Sequence, residues 1–232
     1  MKTYAIIGDS RGIGEALRNQ LLAAGHRVIG VSRTGTVIPG QDRYVGLQFD
    51  AVAAPCDLSG FAETLDGLVY CPGTIVLKPF KGLKREQWLQ EWDVNFYGAV
   101  MALQANHGLL KRAEHGASVV LFSTVAVGTG MAFHAGIAAA KGAVEGLTRS
   151  LAAEWAPDIR VNAIAPSLTD TSLASGLLST DAKREGVKER NPLRKIHGPE
   201  EVASLAAWLL GDSGSGMSGQ ILHLDAGISA LR

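Results

Sequence analysis

The sequence contains few of the residues on which several classes of protein depend. Among its 232 residues only Cys56 and Cys71 are cysteines, which is too few for a disulfide framework or a cysteine-based metal cluster. The 22 basic and 22 acidic residues balance to a formal net charge of zero. Because these charges form no block of one sign, a nucleic-acid partner is not expected. No apolar run approaches the roughly 20 residues that cross a membrane as a helix. We therefore expect a reduced, cytoplasmic protein with no metal site and with neither nucleic acid nor membrane among its partners.

The composition that remains is typical of one large α/β domain. Hydrophobic residues make up 47% of the chain, which suffices for a single core over residues 1–232. Short apolar runs of strand type alternate with helical patterns throughout the sequence. This alternation predicts a doubly wound parallel sheet of the Rossmann type, with about seven strands and helices on both faces. A polar stretch rich in Ser and Thr, at about residues 169–195, is expected to be a mobile lid over the ligand site.

A glycine turn near the start of the chain is the strongest local signal. The apolar run Tyr4–Ile7 ends at Gly8, and the helical spacing of apolar residues begins after Gly12 and Gly14. Such a turn lets the backbone approach a ligand, and the N-terminus of the following helix favours a phosphate group. The spacing G-x-x-x-G-x-G departs from the G-x-G-x-x-G dinucleotide fingerprint. A tight strand-to-helix turn without a ligand is therefore the alternative interpretation.

The end of the second predicted strand indicates which dinucleotide would bind. Ser32 and Arg33 lie about twenty residues after the glycine turn, where a dinucleotide-binding fold contacts the adenosine ribose. An NAD-specific site is expected to have a carboxylate there, whereas Ser and Arg, with Arg11 as a second cation, favour the 2′-phosphate of NADP(H). Two solvated surface arginines are the alternative. Asp50, after the third predicted strand, either accepts a hydrogen bond from the adenine amino group or caps a turn.

Polar residues at three later positions are candidates for catalysis. Asn95 lies within a predicted long helix, where an asparagine competes with the backbone hydrogen bonds and usually has a specific role. Ser123 and Thr124 follow the fifth predicted strand, at the edge where open α/β sheets collect catalytic groups, although a simple turn cap would also explain them. Lys141 lies on a predicted helix from about Ile137 to Trp155.

The chain resembles the short-chain dehydrogenases/reductases nearly from end to end. The glycine turn, with a basic residue before its second glycine, is similar to the NADP-type version of the family motif. The segments Asp93–Gly98, Arg160–Pro166 and Ser218–Gly227 resemble later family blocks. The resemblance implies an NADP(H)-dependent oxidoreductase that acts on a small-molecule substrate and assembles as a homodimer or homotetramer through its two long helices. It implies Asn95, Thr124 and Lys141 as catalytic residues. The residues that it places around the cofactor are Gly8, Ser10, Arg11, Gly12, Ile13, Gly14, Ser32, Arg33, Asp50, Gly73, Lys141, Pro166, Thr169 and Thr171.

The chain departs from the family at its catalytic tyrosine. The family has Tyr-x-x-x-Lys on one helix, but the residue four positions before Lys141 is Ile137. In the family, the tyrosine donates a proton to the carbonyl oxygen as hydride arrives, the lysine lowers the tyrosine pKa and binds the ribose, and the asparagine orders a water. Loss of a positioned acid typically costs about 10²–10⁴-fold in rate, so we expect a slow enzyme rather than an inert one. The tyrosines of the chain all lie upstream of this helix: Tyr4, Tyr44, Tyr70 and Tyr97.

Two further blocks depart from the family pattern. Residues 70–73, Tyr-Cys-Pro-Gly, replace the Asn-Asn-Ala-Gly of the family and retain only Gly73. Ser167 replaces the glycine that usually follows Pro166. The contacts at the end of the fourth strand are therefore not predicted by the resemblance.

Two functions remain open from the sequence. In the first, the protein is an enzyme whose proton comes from Lys141 through a water or from His134 in the loop before the helix, while Thr124 could polarise the carbonyl without donating a net proton. In the second, it is a non-catalytic NADP(H)-binding protein, such as a redox sensor or an interaction subunit. The survival of Asn95, Thr124 and Lys141 favours the enzyme, and the missing tyrosine favours the sensor.

Overall fold

Seven strands form one parallel sheet at the centre of the protein. The structure, a computed structural model, describes residues 1–231. The strands are β1 Thr3–Ile7, β2 Arg27–Ser32, β3 Tyr44–Gln48, β4 Gly67–Tyr70, β5 Ala117–Phe122, β6 Ile159–Pro166 and β7 Ile221–Leu224. Their order is β3-β2-β1-β4-β5-β6-β7, and every neighbouring pair is parallel. The predicted Rossmann-type sheet is thus confirmed. The strand order reverses direction between β1 and β4, and ligands of open α/β sheets bind beside such a point at the carboxyl ends of the strands.

Helices cover both faces of the sheet. They are α1 Gly12–Ala23, α2 Arg85–Trp92, α3 Gly98–Lys111, α4 Ala126–Thr129, α5 Ala135–Trp155, α6 Asp181–Arg190 and α7 Pro199–Leu210. Alternate residues of a strand point to opposite faces: Tyr4 and Ile6 of β1 pack with α1 and α7, whereas Ala5 and Ile7 pack with α3 and α5. Burial on both faces explains why the strands are apolar runs rather than alternating ones.

The long helix predicted around Asn95 is present, and its middle changes from α-helical to π-helical geometry. A π-helical turn, Asp93–Tyr97, separates α2 from α3. The Tyr70 hydroxyl donates a hydrogen bond to the Val94 carbonyl at 2.9 Å, and a Cβ atom added to Gly98 would lie 2.1 Å from that hydroxyl oxygen. The Tyr70 side chain therefore packs against the π-helical turn and the start of α3.

The predicted lid contains more regular structure than its polar sequence indicated. A 3₁₀ turn, Ser172–Ala174, is followed by α6, and Ala174, Leu178 and Val187 form a small apolar cluster of their own. Two hydrogen bonds of 2.7 and 3.0 Å join the Arg184 guanidinium to the Asp170 carboxylate. Movement of this segment stays a prediction. Within residues 1–231, no helix has the length and apolar character needed to cross a membrane.

We expect Gly98→Ala to lower the free energy of unfolding by roughly 1–3 kcal/mol, as overpacking of a filled site does. Urea unfolding of the apo-protein measures this change. Gly108→Ala in the same helix is the control: the nearest atom to its Cβ is the flexible Arg112 Nη1 at 3.5 Å, so alanine should be neutral or slightly stabilising there. Tyr70→Phe should recover part of the loss in the double variant. Equal changes in the free energy of unfolding for Gly98→Ala and Gly108→Ala would contradict the close approach of the Tyr70 hydroxyl to Gly98.

Candidate functional site

The glycine turn combines close packing with an open side. A Cβ atom on Gly14 would lie 2.2 Å from the Gly8 carbonyl oxygen, and one on Gly8 would lie 3.0 Å from the Pro72 nitrogen. Gly14 therefore excludes any side chain, and at Gly8 the tight contact is combined with a φ of +87°, which L side chains rarely adopt. Gly12 is different, because the nearest atom to its Cβ is Thr171 Cγ2 of the lid, at 3.5 Å. Packing explains Gly8 and Gly14, and Gly12 at the start of α1 remains available to a ligand.

A cleft of about 520 Å³ lies between the glycine turn and the lid. It brings together three of the predicted cofactor residues, Arg11, Gly12 and Thr171. The first-turn N–H groups of α1 have no intrahelical acceptors and carry partial positive charge, so this place suits a phosphate. The residues around the cleft are Arg11, Gly12, Glu15, Asp170, Thr171, Ser172, Ser175, Leu178, Arg184 and Pro199.

The other residues of the glycine turn are placed less directly. Arg11 is exposed and has an extended backbone immediately before α1. Ser10 is half-buried in the turn. Ile13 packs its side chain against the core between α1 and α7, so only its backbone can contact a ligand at the α1 N-terminus.

Ser32, Arg33 and Asp50 follow or end the strands β2 and β3, where the adenosine part of the cofactor is predicted to bind. Ser32 is buried, and its hydroxyl has no hydrogen-bond partner among the described residues. Arg33 beside it is exposed. Asp50 accepts a hydrogen bond from the Val52 N–H at 3.1 Å, so the turn-capping alternative describes its role in this structure. Contact between Asp50 and adenine stays a prediction.

The lid begins with two threonines that have different surroundings. Thr169, which follows Pro166 at the end of β6, is buried and donates its hydroxyl to the Ser167 carbonyl at 3.1 Å. It also forms an isolated parallel bridge with His197. Thr171 is only half-buried and lies against Gly12. Thr171 is therefore the better placed of the two to contact a ligand in the cleft.

The two hydroxyls after β5 are separated by the structure. Ser123 is buried and donates to Glu145 Oε1 of α5 at 2.7 Å. Thr124 is half-buried, and its oxygen accepts the Ala126 N–H at 3.3 Å. The Thr124 hydrogen is not used in that contact, since the oxygen is the acceptor. Thr124 thus caps α4 and keeps a donor, while Ser123 is committed to α5.

Asn95 is fully occupied by the backbone around it. Its Oδ1 accepts the Thr74 N–H at 3.2 Å, and its Nδ2 donates to the carbonyl oxygens of Thr74, at 3.1 Å, and Glu91, at 3.0 Å. A Cβ added to Gly73 would lie 3.4 Å from Oδ1 and 3.8 Å from Leu173 of the lid. The amide therefore orders the segment after β4, and its role in catalysis stays a prediction.

Lys141 is a buried cation without a protein partner. It lies one helical turn after Ile137 on α5, and the two side chains are 8% and 5% exposed. Its ammonium group makes no hydrogen bond or ion pair with residues 1–231. Burial lowers the pKa of Lys141 to about 8, an effect that the nearby Cys71 thiol opposes. A proton is therefore held less tightly here than on an ordinary lysine, which suits a proton donor near neutral pH.

His134 is held by its own loop. Its Nδ1 lies 2.7 Å from the Ala132 carbonyl oxygen, and the residue immediately precedes α5. This contact fits a loop-stabilising histidine. Within the described part of the chain, no group of three or more His, Cys, Asp or Glu side chains could hold a metal ion.

Sequence reasoning missed two buried acids. Asp9, inside the glycine motif, is fully buried, accepts the Tyr44 hydroxyl at 2.5 Å, and contacts Arg18 of α1. Its signal was Gly30 in an apolar strand, because a Cβ there would lie 2.0 Å from the Asp9 carboxylate. Glu91 is also fully buried. Its signal was the helical spacing of four residues from Asn95, which places both side chains on one face.

The sheet, the glycine turn at its switch point and the open N-terminus of α1 define a Rossmann-type α/β protein suited to a dinucleotide. A family model described as "Enoyl-(Acyl carrier protein) reductase" matches residues 7–229. A tropinone reductase homologue from Arabidopsis thaliana is 34% identical over 245 residues, covering 98% of this chain and 92% of the relative. The chain belongs to the short-chain dehydrogenase/reductase family of oxidoreductases.

Solved structures agree with this assignment. The ligand-free aldohexose dehydrogenase of Thermoplasma acidophilum has a TM-score of 0.89 at 26% identity, with 100% of this chain and 95% of that chain covered. The NADP complex of RhlG from Pseudomonas aeruginosa has a TM-score of 0.89 at 26% identity, with coverages of 98% and 96%. A 3-ketoacyl-(acyl-carrier-protein) reductase from Brucella melitensis, complexed with NADH, has a TM-score of 0.85 at 23% identity, with 98% of each chain covered. At that last identity the likeness shows the fold alone.

We expect Lys141→Met to stabilise the apo-protein at pH 7. At that pH the lysine is charged in both the folded and the unfolded state, so the folded state bears the full cost of burying the charge. The difference between 10.5 and about 8 corresponds to at most about 3 kcal/mol. Between these pH values the folded protein loses the proton while the unfolded chain keeps it, so the stability of the native protein rises with pH.

Urea unfolding at pH 7 and pH 9.5 measures this effect, and the advantage of the methionine variant should shrink at the higher pH. Lys111→Met, at an exposed lysine of α3, is the control and should change stability little at either pH. A destabilising effect of Lys141→Met at pH 7 would show that the ammonium group has a stabilising partner.

Proposed function

We propose that the protein is an NADPH-dependent oxidoreductase that reduces a small carbonyl or imine compound, with Lys141 as the source of the proton. One observation carries the proposal: a buried lysine, with a lowered pKa and no protein partner, lies one turn from the residue that replaces the family's tyrosine. The side chain is buried, but Nζ is not among the fully buried polar atoms without a partner, so the ammonium group faces water, through which a proton can pass.

The proposed cofactor site uses residues from both sides of the cleft. Gly12 and the α1 N-terminus would hold the pyrophosphate, Thr171 the nicotinamide carboxamide, and Lys141 the nicotinamide ribose. Ser32 and Arg33, assisted by Arg11, would hold the 2′-phosphate. NADPH supplies the hydride when bound. The unpartnered Ser32 hydroxyl, the exposed Arg33 and the similarity to a protein solved with NADP support NADP(H) over NAD(H).

The proton is proposed to pass from Lys141 to the substrate oxygen or nitrogen through a water. Ile137 cannot carry a proton, and a side chain shorter than tyrosine leaves room for that water. Thr124 would donate its unused hydrogen to the same substrate atom and draw electron density toward it. Lys141 would then regain its proton from solvent. The water lengthens the path, so turnover below that of a tyrosine-containing site is expected.

A non-catalytic NADP(H)-binding role is the second candidate. The observation that favours it is how completely the neighbouring polar groups are occupied: the Asn95 amide is bound to backbone atoms, Ser123 to Glu145, and His134 to its own loop. A protein that senses NADP(H) would need the cofactor contacts and not the proton. Lys141 would then serve only the ribose.

The proposed assembly and location follow the family resemblance. We infer a homodimer or homotetramer formed through α3 and α5, in the cytoplasm. Sedimentation of the purified protein tests the assembly.

We expect the native protein to oxidise NADPH slowly with at least one member of a carbonyl and imine panel. The rate constant kcat/KM should be larger below about pH 8 than above it, because only the protonated lysine is an acid. Lys141→Met should lower kcat by about 10²-fold or more, and Ile137→Tyr should raise it. Turnover by the Ile137→Tyr variant alone would instead support the binding role.

We expect Arg33→Ala to weaken NADPH binding by about 10–100-fold, since a charge-assisted hydrogen bond contributes about 1.5–3 kcal/mol. Binding of NADH should be unchanged. Fluorescence titration of both cofactors measures the two dissociation constants. Arg43→Ala, at another exposed arginine immediately before the start of β3, is the control. Equal losses for NADPH and NADH would contradict recognition of the 2′-phosphate.

A further inference from the structure

Glu91 is an acidic residue in a place where acids are rarely found. It lies on α2, one turn before Asn95, and its side chain is 0% exposed. Glutamate is almost never fully buried without a partner of opposite charge, and no lysine, arginine or histidine within residues 1–231 forms an ion pair with it. Burial raises the pKa of the Glu91 carboxyl group. Such a residue costs stability, which argues for a specific role.

One carboxyl oxygen of Glu91 holds the segment after β4. Oε1 accepts the Val76 N–H at 2.7 Å. One turn further along, Asn95 holds the N–H and the carbonyl of Thr74 at 3.2 and 3.1 Å. Two side chains on the same helical face therefore hold residues 74–76 by three hydrogen bonds. This segment follows Gly73 at the carboxyl end of β4, at the edge where ligands of open α/β sheets bind.

The other carboxyl oxygen faces the start of α5. Oε2 has no hydrogen-bond partner among the described residues, and a Cβ atom on Gly136 would lie 2.0 Å from it. Only glycine at this second residue of α5 permits the approach. The partial positive charge of the α5 N-terminus attracts the carboxylate. The next residue is Ile137, and Lys141 follows one turn later.

We propose that Glu91 is a positioning residue: its carboxyl group ties residues 74–76 to the first turn of α5 and thereby sets the position of Ile137 and Lys141 relative to that segment. The catalytic consequence rests on the proposed function, whereas the tie itself does not. Glu91 touches neither reacting atoms nor the cleft, so its effect is exerted through the backbone on either side of it.

Hydrogen exchange of the Val76 amide tests the tie without any turnover. Glu91→Leu removes the acceptor and should speed Val76 exchange at least tenfold in the apo-protein, while Glu91→Gln keeps an acceptor oxygen and should leave it within about threefold. Glu86→Leu, at an exposed acid of the same helix, is the control and should not change it. Unchanged Val76 exchange in a folded Glu91→Leu protein would overturn the proposal.

The effect of Glu91 on catalysis is tested by measuring kcat, both in the native protein and in the Ile137→Tyr variant. Glu91→Leu should lower kcat about tenfold with the NADPH dissociation constant unchanged, Glu91→Gln should restore most of the rate, and Gly136→Ala, which displaces Oε2, should resemble Glu91→Leu. Suppose that only proteins carrying Ile137→Tyr are active and that the Glu91 variants change their kcat as described. The proposal that Lys141 donates the proton is then wrong, and the positioning role of Glu91 is supported. If kcat is unaffected in every active background, the positioning role fails.

Discussion

The burial of both faces of the parallel sheet is the constraint on which the rest of the structure depends. Seven strands without a polar face must be covered by helices on both sides, and each crossover then returns the chain in the same direction. All strands consequently end at one edge. The reversal of strand order between β1 and β4 opens a crevice at that edge, and the glycine turn and the lid meet there.

The buried ionisable groups around this edge are satisfied to different degrees, as three of them show. Asp9 binds the Tyr44 hydroxyl and Arg18 through Oδ2 and leaves Oδ1 without a partner among the described residues. Glu91 likewise uses one oxygen of two, and Lys141 has no partner among the described residues. The first joins the glycine turn to α1 and β3. The other two lie near Ile137: Glu91 approaches Gly136, the residue before it, and Lys141 lies one helical turn after it on α5.

Much of the fold could be predicted from the sequence because its signals are local. The alternation of short apolar runs with helical patterns predicted the seven-stranded parallel sheet, since such patterns need no distant partner. The helix around Asn95 was also predicted, but its π-helical turn was not, because that turn accompanies a hydroxyl from Tyr70, a residue on another element. The capping of Asp50 was one of two alternatives that local sequence could not separate.

The sequence by itself determined the class of fold, the glycine turn between β1 and α1 and the absence of a tyrosine four residues before Lys141, since each depends on residue type and spacing along the chain. Only the tertiary structure decided which polar groups remain available. It committed Ser123 to Glu145 and the Asn95 amide to backbone atoms, left Lys141 without a partner, and brought Glu91 against Gly136. The hydrogen-bond partners and the burial of a side chain depend on elements that are far apart in sequence. The spacing of residues along the chain therefore predicts neither.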